Sequence, residues 1–377
     1  MTPVTRSFLA AALLPFIAAA SSAEPPARDC QAVSVTDQRS ETILRGIEDI
    51  VIDERAGVAY LSIYDRRDSQ SALDGIYALP IAPLPPRPSL RAAARPMTTA
   101  FGAANDFRPH GIDLFVTQDG RRTLFVVNHG RIRVGKDLED GHSVEIFDLS
   151  LGAFLHRGPL GTVRDPLISS PNDVAAAGRA EFYVTNDHAA GGGLARTAED
   201  LFRMRRGTVV HYDGAKPEGA RLRIVARGLL YPNGIALSAD RRTLYVASTR
   251  DAAVHAFDLR PEGTPKPRDA PDRTVALGFG PDNLAWDRRG RLLVAGHPDL
   301  ARFTIYALTG DFRIGVRTAP SEVARLYPAA APVRIEPLYR DDGRQISGAS
   351  VAAATNGMLL VGSVYDDRIV VCEIGDG

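Results

Sequence analysis

Pro171-Asn172-Asp173-Val174-Ala175 and Pro232-Asn233-Gly234-Ile235-Ala236 carry one pattern twice: a proline, an oxygen-bearing side chain, then small and apolar residues that read as a buried strand. The same opening returns as Gly46-Ile47-Glu48-Asp49, Pro109-His110-Gly111-Ile112, Pro281-Asp282-Asn283-Leu284 and Ser347-Gly348-Ala349-Ser350, with small departures at the first position. With Glu48, His110, Asn172, Asn233, Asp282 and Gly348 as anchors, the intervals are 62, 62, 61, 49 and 66 residues. Self-similarity at such a period marks a repeat architecture. The expected fold is all-β, a six-bladed β-propeller, which aims the first strand of each blade at one axis. Side chains as distant as Glu48 and Asp282 then converge on one point, and chemistry is expected there.

Each anchor run is followed by a second β-rich run, such as Thr123-Leu124-Phe125-Val126-Val127, Thr243-Leu244-Tyr245-Val246 and Met358-Leu359-Leu360-Val361. Turn formers separate the pairs, among them Asp119-Gly120 and Asn356-Gly357, as hairpins require. Third runs such as Ser143-Val144-Glu145-Ile146-Phe147 complete much of a blade. Helical periodicity is confined to residues 197–205, with acidic residues in the first turn and arginines after. The proline-rich stretches 80–96 and 261–271 read as loops inside blades, because a domain boundary at either would split a repeat.

Lys+Arg and Asp+Glu both number 45, so net charge is zero and no basic stripe points to nucleic acid; the Arg-rich stretch 203–206 reads as solvated surface. At the N-terminus Arg6 precedes an apolar run from Phe8 to Ala20, then the small residues Ser21 and Ala23. Thirteen apolar residues are too few to span a bilayer and suit a cleavable signal peptide over residues 1–23. That leaves 24–377 as one domain, exported to the periplasm or secreted, with no integral membrane span expected. An oxidising compartment permits a bond between Cys30 and Cys372, although sequence alone does not prove pairing. Closure of a propeller would set Ala32-Val33-Ser34-Val35 beside Arg368-Ile369-Val370-Val371, with a cysteine next to each. Such a bond would remove about 4–5 kcal/mol of loop entropy from the unfolded chain.

Glu48-Asp49, Asn172-Asp173 and Asp282-Asn283 are doublets. Adjacent strand side chains face opposite ways, so one doublet can serve two sites at different depths. Carboxylates mixed with amides and no thiolate are the ligand chemistry of a hard cation, calcium above zinc. Glu48, Asp282, Asn172, Asn233 and Asn283 form one candidate set, and Asp49 with Asp173 a deeper one. A single Asn-Asp or Asn-Gly pair merely makes a turn; recurrence at the same blade position argues for ligands. Four histidines, His110, His129, His188 and His297, fall at strand ends where they would ring a channel mouth. Two of them on one blade suggest a general base, His110, and its orienting partner, His129. There is no G-x-S-x-G elbow, H-E-x-x-H or P-loop, and Gly191-Gly192-Gly193 reads as a flexible loop.

In these blocks, together with Phe182-Tyr183-Val184-Thr185-Asn186-Asp187-His188 and His297-Pro298, the chain resembles the paraoxonase/arylesterase family, calcium-dependent six-bladed propeller hydrolases of lactones and aryl esters. The resemblance implies two calcium ions. One would be catalytic, on Glu48, Asn172, Asn233, Asp282 and Asn283; the other structural, on Asp49, Asp173 and the Ile112 carbonyl. It implies His110 as base, His129 as partner, His188 and His297 lining the site, and a ring-closing Cys30–Cys372 disulfide. The exposed ion would polarise a carbonyl while His-assisted water attacks it. The family's free cysteine falls at Gly296, and residues 189–206 are Gly- and Arg-rich where vertebrate members are aromatic. With the cleavable leader, these departures describe a bacterial-type relative for which lipoprotein association is not implied. The alternatives are a gluconolactonase/regucalcin-type sugar-lactone hydrolase and a non-catalytic calcium-binding propeller. The preferred substrate would be set by loops at 130–141, 189–206 and 301–332.

Overall fold

The strands of this chain, seen in a computed structural model, form sheets set around an axis in a propeller-like, all-β arrangement. The described residues are 27–68, 71–81, 91–98, 107–134, 137–149, 155–156, 161–189, 193–259, 267–309 and 317–375. The predicted signal peptide, residues 1–23, lies outside them, as do residues 82–90 and 260–266 of the proline-rich stretches and Gly191-Gly192.

Three sheets are four-stranded meanders: Pro171–Gly178 to Leu222–Leu229, Pro232–Leu237 to Arg273–Ala276, and Gly280–Trp286 to Arg334–Asp341. A five-stranded sheet begins at Pro109–Val116. An eight-stranded sheet runs from Ile47–Asp53 at one end to Ala349–Thr355 at the other. The first strands stand side by side around the axis, Ile47–Asp53 next to Pro109–Val116, and so on round to Ala349–Thr355, which again neighbours Ile47–Asp53. Apolar layers fill the space between the two ends of the eight-stranded sheet, with Ile50, Leu61 and Leu79 against Val351 and Leu360, and between neighbouring sheets, with Phe125 and Val127 against Val174, Phe182 and Val184.

Five first strands break register with their neighbour at the anchor, between Ile47 and Asp49, Pro109 and Ile112, Pro171 and Val174, Pro232 and Ile235, and Pro281 and Leu284; the sixth does so just past Gly348, between Ala349 and Val351. A bulge releases residues from the ladder and re-aims their side chains. The anchors are therefore freed to point at the axis while the rest of the strand stays paired. Aspartates at the same level latch one sheet to the next: Asp49, Asp113 and Asp173 accept the backbone N–H of Ile112, Ala176 and Ile235 at 2.7, 2.7 and 2.8 Å.

Strand Ala27–Asp37 closes the ring as expected, antiparallel to Ile369–Ile374 with Ala32 opposite Val370 and Val33 opposite Ile369. Cys30 and Cys372 are disulfide-bonded across that seam. Further along, Ser34 pairs parallel with Arg91, so the stretch expected to be loop contains the strand Arg91–Pro96. Its alanines carry no strand signal of their own; the pairing comes from the closing strand. Helix α1 spans Gly193–Leu201 rather than 197–205. Arg203 turns left-handed (φ 49°), and the N–H groups of Arg203 and Met204 bond back to Asp200 and Glu199, which terminates the helix before the arginines can extend it. A second helix, α2 (Leu300–Thr309), occupies part of what was read as a mouth loop; Asp299 caps it through the Arg302 N–H at 2.9 Å. The rest of 301–332 includes the blade strand Ser321–Tyr327, and 130–141 is partly the hairpin Arg131–Val134 with Asp137–Asp140.

Candidate active site

The bulged anchors meet around a cavity of about 370 Å³ lined by Glu48, His110, Asn172, Asn233, Asp282 and His297 among others. Five buried oxygens from four first strands are left without a hydrogen-bond partner among the described residues: Glu48 Oε2, Asn172 Oδ1, Asn233 Oδ1, Asp282 Oδ1 and Asn283 Oδ1. A buried unsatisfied acceptor costs stability, and five belonging to the one predicted ligand set cannot be casual. In four of the five the other end is occupied. The Asn233 amide nitrogen donates to Thr249 Oγ1 at 3.3 Å, that of Asn283 to the Glu48 carbonyl at 3.1 Å, and that of Asn172 reaches Asp187 Oδ2 at 3.5 Å. Asp282 Oδ2 is held by His297 Nε2 at 2.9 Å. Four of the five side chains are thus held by their other atom, while Glu48 Oε1 lies 3.7 Å from His110 Nδ1; all five present a bare oxygen, which is a cation's donor set.

Glu48 has the Arg66 guanidinium 3.1 Å from Oε2, outside hydrogen-bonding alignment. Burial pushes its carboxyl up to about 7; Arg66 pulls it down and Asp282 adds to the rise. Among the described residues no three His, Cys, Asp or Glu side chains form a metal cluster alone, so the amide oxygens are indispensable to the set. The deeper candidates are arranged differently. Asp49 and Asp173 line a second cavity, about 260 Å³, with Asp113. Both oxygens of Asp49 and of Asp173 already accept backbone N–H groups. Burial, and for Asp173 then the neighbouring Asp49, raise these carboxyls well above their usual range. Concentrated negative charge fits a cation there too, with fewer bare oxygens to recommend it; Ile112 enters this level through its N–H.

His110 lies with Nδ1 3.7 Å from Glu48 Oε1, its ring centroid 4.5 Å from that of His129. His129 Nε2 is 2.6 Å from the Pro171 carbonyl, which can only accept, so that nitrogen carries the proton. Burial holds both imidazoles below the ordinary histidine value, helped by His129 and Arg66 at His110; His129 falls to about 3. His297 lines the cavity and stacks on Phe303 at 3.6 Å. His188 does not reach the cavity wall. It sits behind Tyr231, bonded at 2.9 Å to Asp187 on one side and at 2.9 Å to Asp200 of α1 on the other. Burial alone would discharge it, but the two carboxylates win and raise its pKa. His188 therefore ties α1 to the blade rather than lining the site.

Sequence reasoning missed Arg66, Arg203, Tyr231, Thr249, Arg250, Phe303 and Tyr365 on the wall. Position was the available signal: Arg66 and Thr249 follow second strands just as the histidines do, and Tyr231 precedes Pro232-Asn233. The sixth anchor, Gly348, offers no ligand because its place is taken. A Cβ there would stand 2.7 Å from the Phe303 ring, and its φ is +63°.

The arylesterase family profile matches residues 89–374, so Glu48, Asp49 and Cys30 enter the picture on geometry rather than through that match. Rat serum paraoxonase/arylesterase 2 is 31% identical over 71% of this chain and 69% of its own length. Human serum paraoxonase/lactonase 3 is 28% identical over 71% and 69%. Among solved structures, a protein of unknown function from Bacteroides thetaiotaomicron superposes with TM-score 0.50 at 9% identity, covering 91% of this chain and 75% of that one. A gluconolactonase from Xanthomonas campestris gives 0.47 at 15%, covering 94% and 98%.

Proposed function

Because the chain belongs to the arylesterase family, we propose that it hydrolyses lactones and aryl esters at the axial cavity with the help of calcium. Glu48, Asn172, Asn233, Asp282 and Asn283 would hold one ion; Asp49, Asp173 and the Ile112 carbonyl would hold a second, deeper one. The observation that carries the reading is the set of five bare, buried oxygens, four of them on side chains held by a hydrogen bond at the other atom. Two carboxylates among them balance a dication, and three neutral amides add donors without adding charge. When bound, calcium supplies Lewis acidity toward a carbonyl oxygen.

The protein's own residues account for the remaining work. His110, neutral and beside Glu48, accepts a proton from attacking water. His129, its Nε2–H committed to Pro171, orients the His110 ring. His297 fixes Asp282 and forms one wall with Phe303, while Leu300 and Val364 keep that wall dry. We read the eight-stranded sheet as two blades joined at the ring closure, which gives six in all, and residues 1–23 as a leader directing export.

The test uses residues 24–377 with γ- and δ-lactones and phenyl acetate, in excess calcium and then in EGTA. Calcium-dependent turnover that disappears in Glu48→Ala is expected. Folded, calcium-loaded protein inert toward all of them, sugar lactones included, would overturn the reading in favour of a binding propeller.

A further inference from the structure

The cavity wall carries three arginines, Arg66, Arg203 and Arg250, and only two carboxylates, Glu48 and Asp282. Both carboxylates belong to the axial oxygen set. An ion bound there would consume their charge and leave the pocket cationic. From this we propose that the substrate is an anionic lactone or ester, one bearing a carboxylate remote from the scissile bond, and that Arg203 is the residue that selects it. This rests on the hydrolase reading above and narrows its substrate class.

The three arginines are not equivalent. Arg250 is neutralised: its Nη2 lies 2.8 Å from Asp200 Oδ1, its Nη1 donates to the Asp200 carbonyl at 2.7 Å, and it covers the Tyr231 ring. Arg66 is buried beside the axial oxygens, 3.1 Å from Glu48 Oε2 and over Tyr64, with its side chain only 16% exposed, so it does not reach the rim. Arg203 donates through Nη2 to the Arg250 carbonyl at 2.8 Å, a neutral acceptor, and no carboxylate pairs with it among the described residues. It is exposed at the rim, with most of its donor fork available. It also occupies the left-handed position that ends α1, where glycine is usual. A long cationic side chain is thus kept where backbone preference opposes it, and its hydrogen bond to the Arg250 carbonyl steadies it beside the pocket. A planar guanidinium with spare N–H groups matches a carboxylate in two-point fashion, and a positive cleft raises the local concentration of anions.

The test compares 4-(5-oxotetrahydrofuran-2-yl)butanoate, whose carboxylate lies at the end of a side chain away from the ring ester, with its carboxamide, a neutral isostere, in the calcium-loaded full chain at low salt. The carboxylate is expected to have a kcat/KM about tenfold or more above the amide's. In Arg203→Gln that ratio should collapse toward one, and likewise in Arg203→Gly, which suits the backbone and so separates charge from folding. Calorimetric binding of glutarate gives a readout free of turnover, and it should weaken about fivefold or more in both variants. A ratio near one in the native chain, or one untouched by either substitution, overturns the proposal while leaving lactone hydrolysis intact. Arg203-dependent glutarate binding in a chain that hydrolyses no lactone would instead sustain the anion site and remove the hydrolase reading.

Discussion

Glu48→Gln isolates the charge of one axial ligand while keeping its shape. At an effective dielectric of about 20, with the dication about 2.4 Å from Glu48 Oε2, which carries about half of the carboxylate's charge, the attraction is about 7 kcal/mol. Part of that is already offset in the cation-free protein. Raising Glu48 from 4.5 to about 7 opposes its ionisation by about 3 kcal/mol, using about 1.4 kcal/mol per tenfold change. The remaining ~4 kcal/mol corresponds to a loss of two to three orders of magnitude in calcium affinity. The sign for the cation-free fold is opposite. Because the folded value lies above the unfolded one, ionised Glu48 costs stability at pH above about 7 and nothing below about 4.5, where it is protonated in both states. Gln removes that cost, against which stands the partner lost by Arg66. The melting temperature in EGTA at pH 8 should therefore hold or rise, while the gain on adding calcium shrinks. Calorimetric titration of chelator-stripped protein, paired with the two melting curves, measures both. Affinity within fivefold of the native chain, or an equal calcium-induced gain in both proteins, would refute Glu48 as a ligand.

His110→Gln should lower kcat by about 10²–10⁴-fold with calcium affinity nearly kept; near-native lactonase activity would remove the histidine from the role of base. Gly348→Ala places a Cβ 2.7 Å from the Phe303 ring at φ +63°, so a loss of about 1–3 kcal/mol by urea denaturation and an altered substrate profile are expected. An unchanged midpoint and profile would mean that Phe303 yields freely. The double change Cys30→Ser and Cys372→Ser opens a closure of 342 residues and should cost about 4–5 kcal/mol, read as a lower melting temperature with calcium affinity unchanged. Equal melting of native and double variant would show that the paired strands alone hold the seam.

Much of this was legible because the repeat is carried by side chains that cannot be exchanged for generic strand formers. Glu48, Asn172, Asn233, Asp282 and Asn283 could be grouped from spacing alone; in the structure four of them line one cavity, and Asn283 bonds to the Glu48 carbonyl beside it. The bulges that aim them were not readable, since a break in register depends on the partner strand and leaves no mark beyond a small residue such as Gly111, whose Cβ would stand 2.3 Å from Asp173 Oδ1. His188 was misplaced for a related reason. Its position at a strand end matched His129, but whether it faces the cavity or the helix depends on Asp200, twelve residues on, and that pairing arises only once α1 folds back. α2 did have a signal in Asp299, the residue that caps it; a strand-dominated reading passed over it.

The choice of amides at three of the five axial positions follows from the cation-free state. In the cation-free fold buried carboxylates are costly at this point: burial raises Glu48 most, and Asp282 adds to the rise. Aspartate at 172, 233 and 283 would bring five carboxylates to the same axis. It would also undo the aiming device, because a carboxylate cannot donate to Thr249 Oγ1 or to the Glu48 carbonyl, and both contacts need the N–H of an amide. Asparagine meets both demands with one group: its nitrogen fixes the side chain, within its own sheet at Asn172 and Asn233 and across to the Glu48 carbonyl at Asn283, and its oxygen is left bare. Two carboxylates then suffice to balance a dication. On the calcium reading proposed above, the asparagine-rich anchors, ambiguous turn formers in the sequence, are the arrangement that leaves the least charge to be tolerated in the cation-free ring.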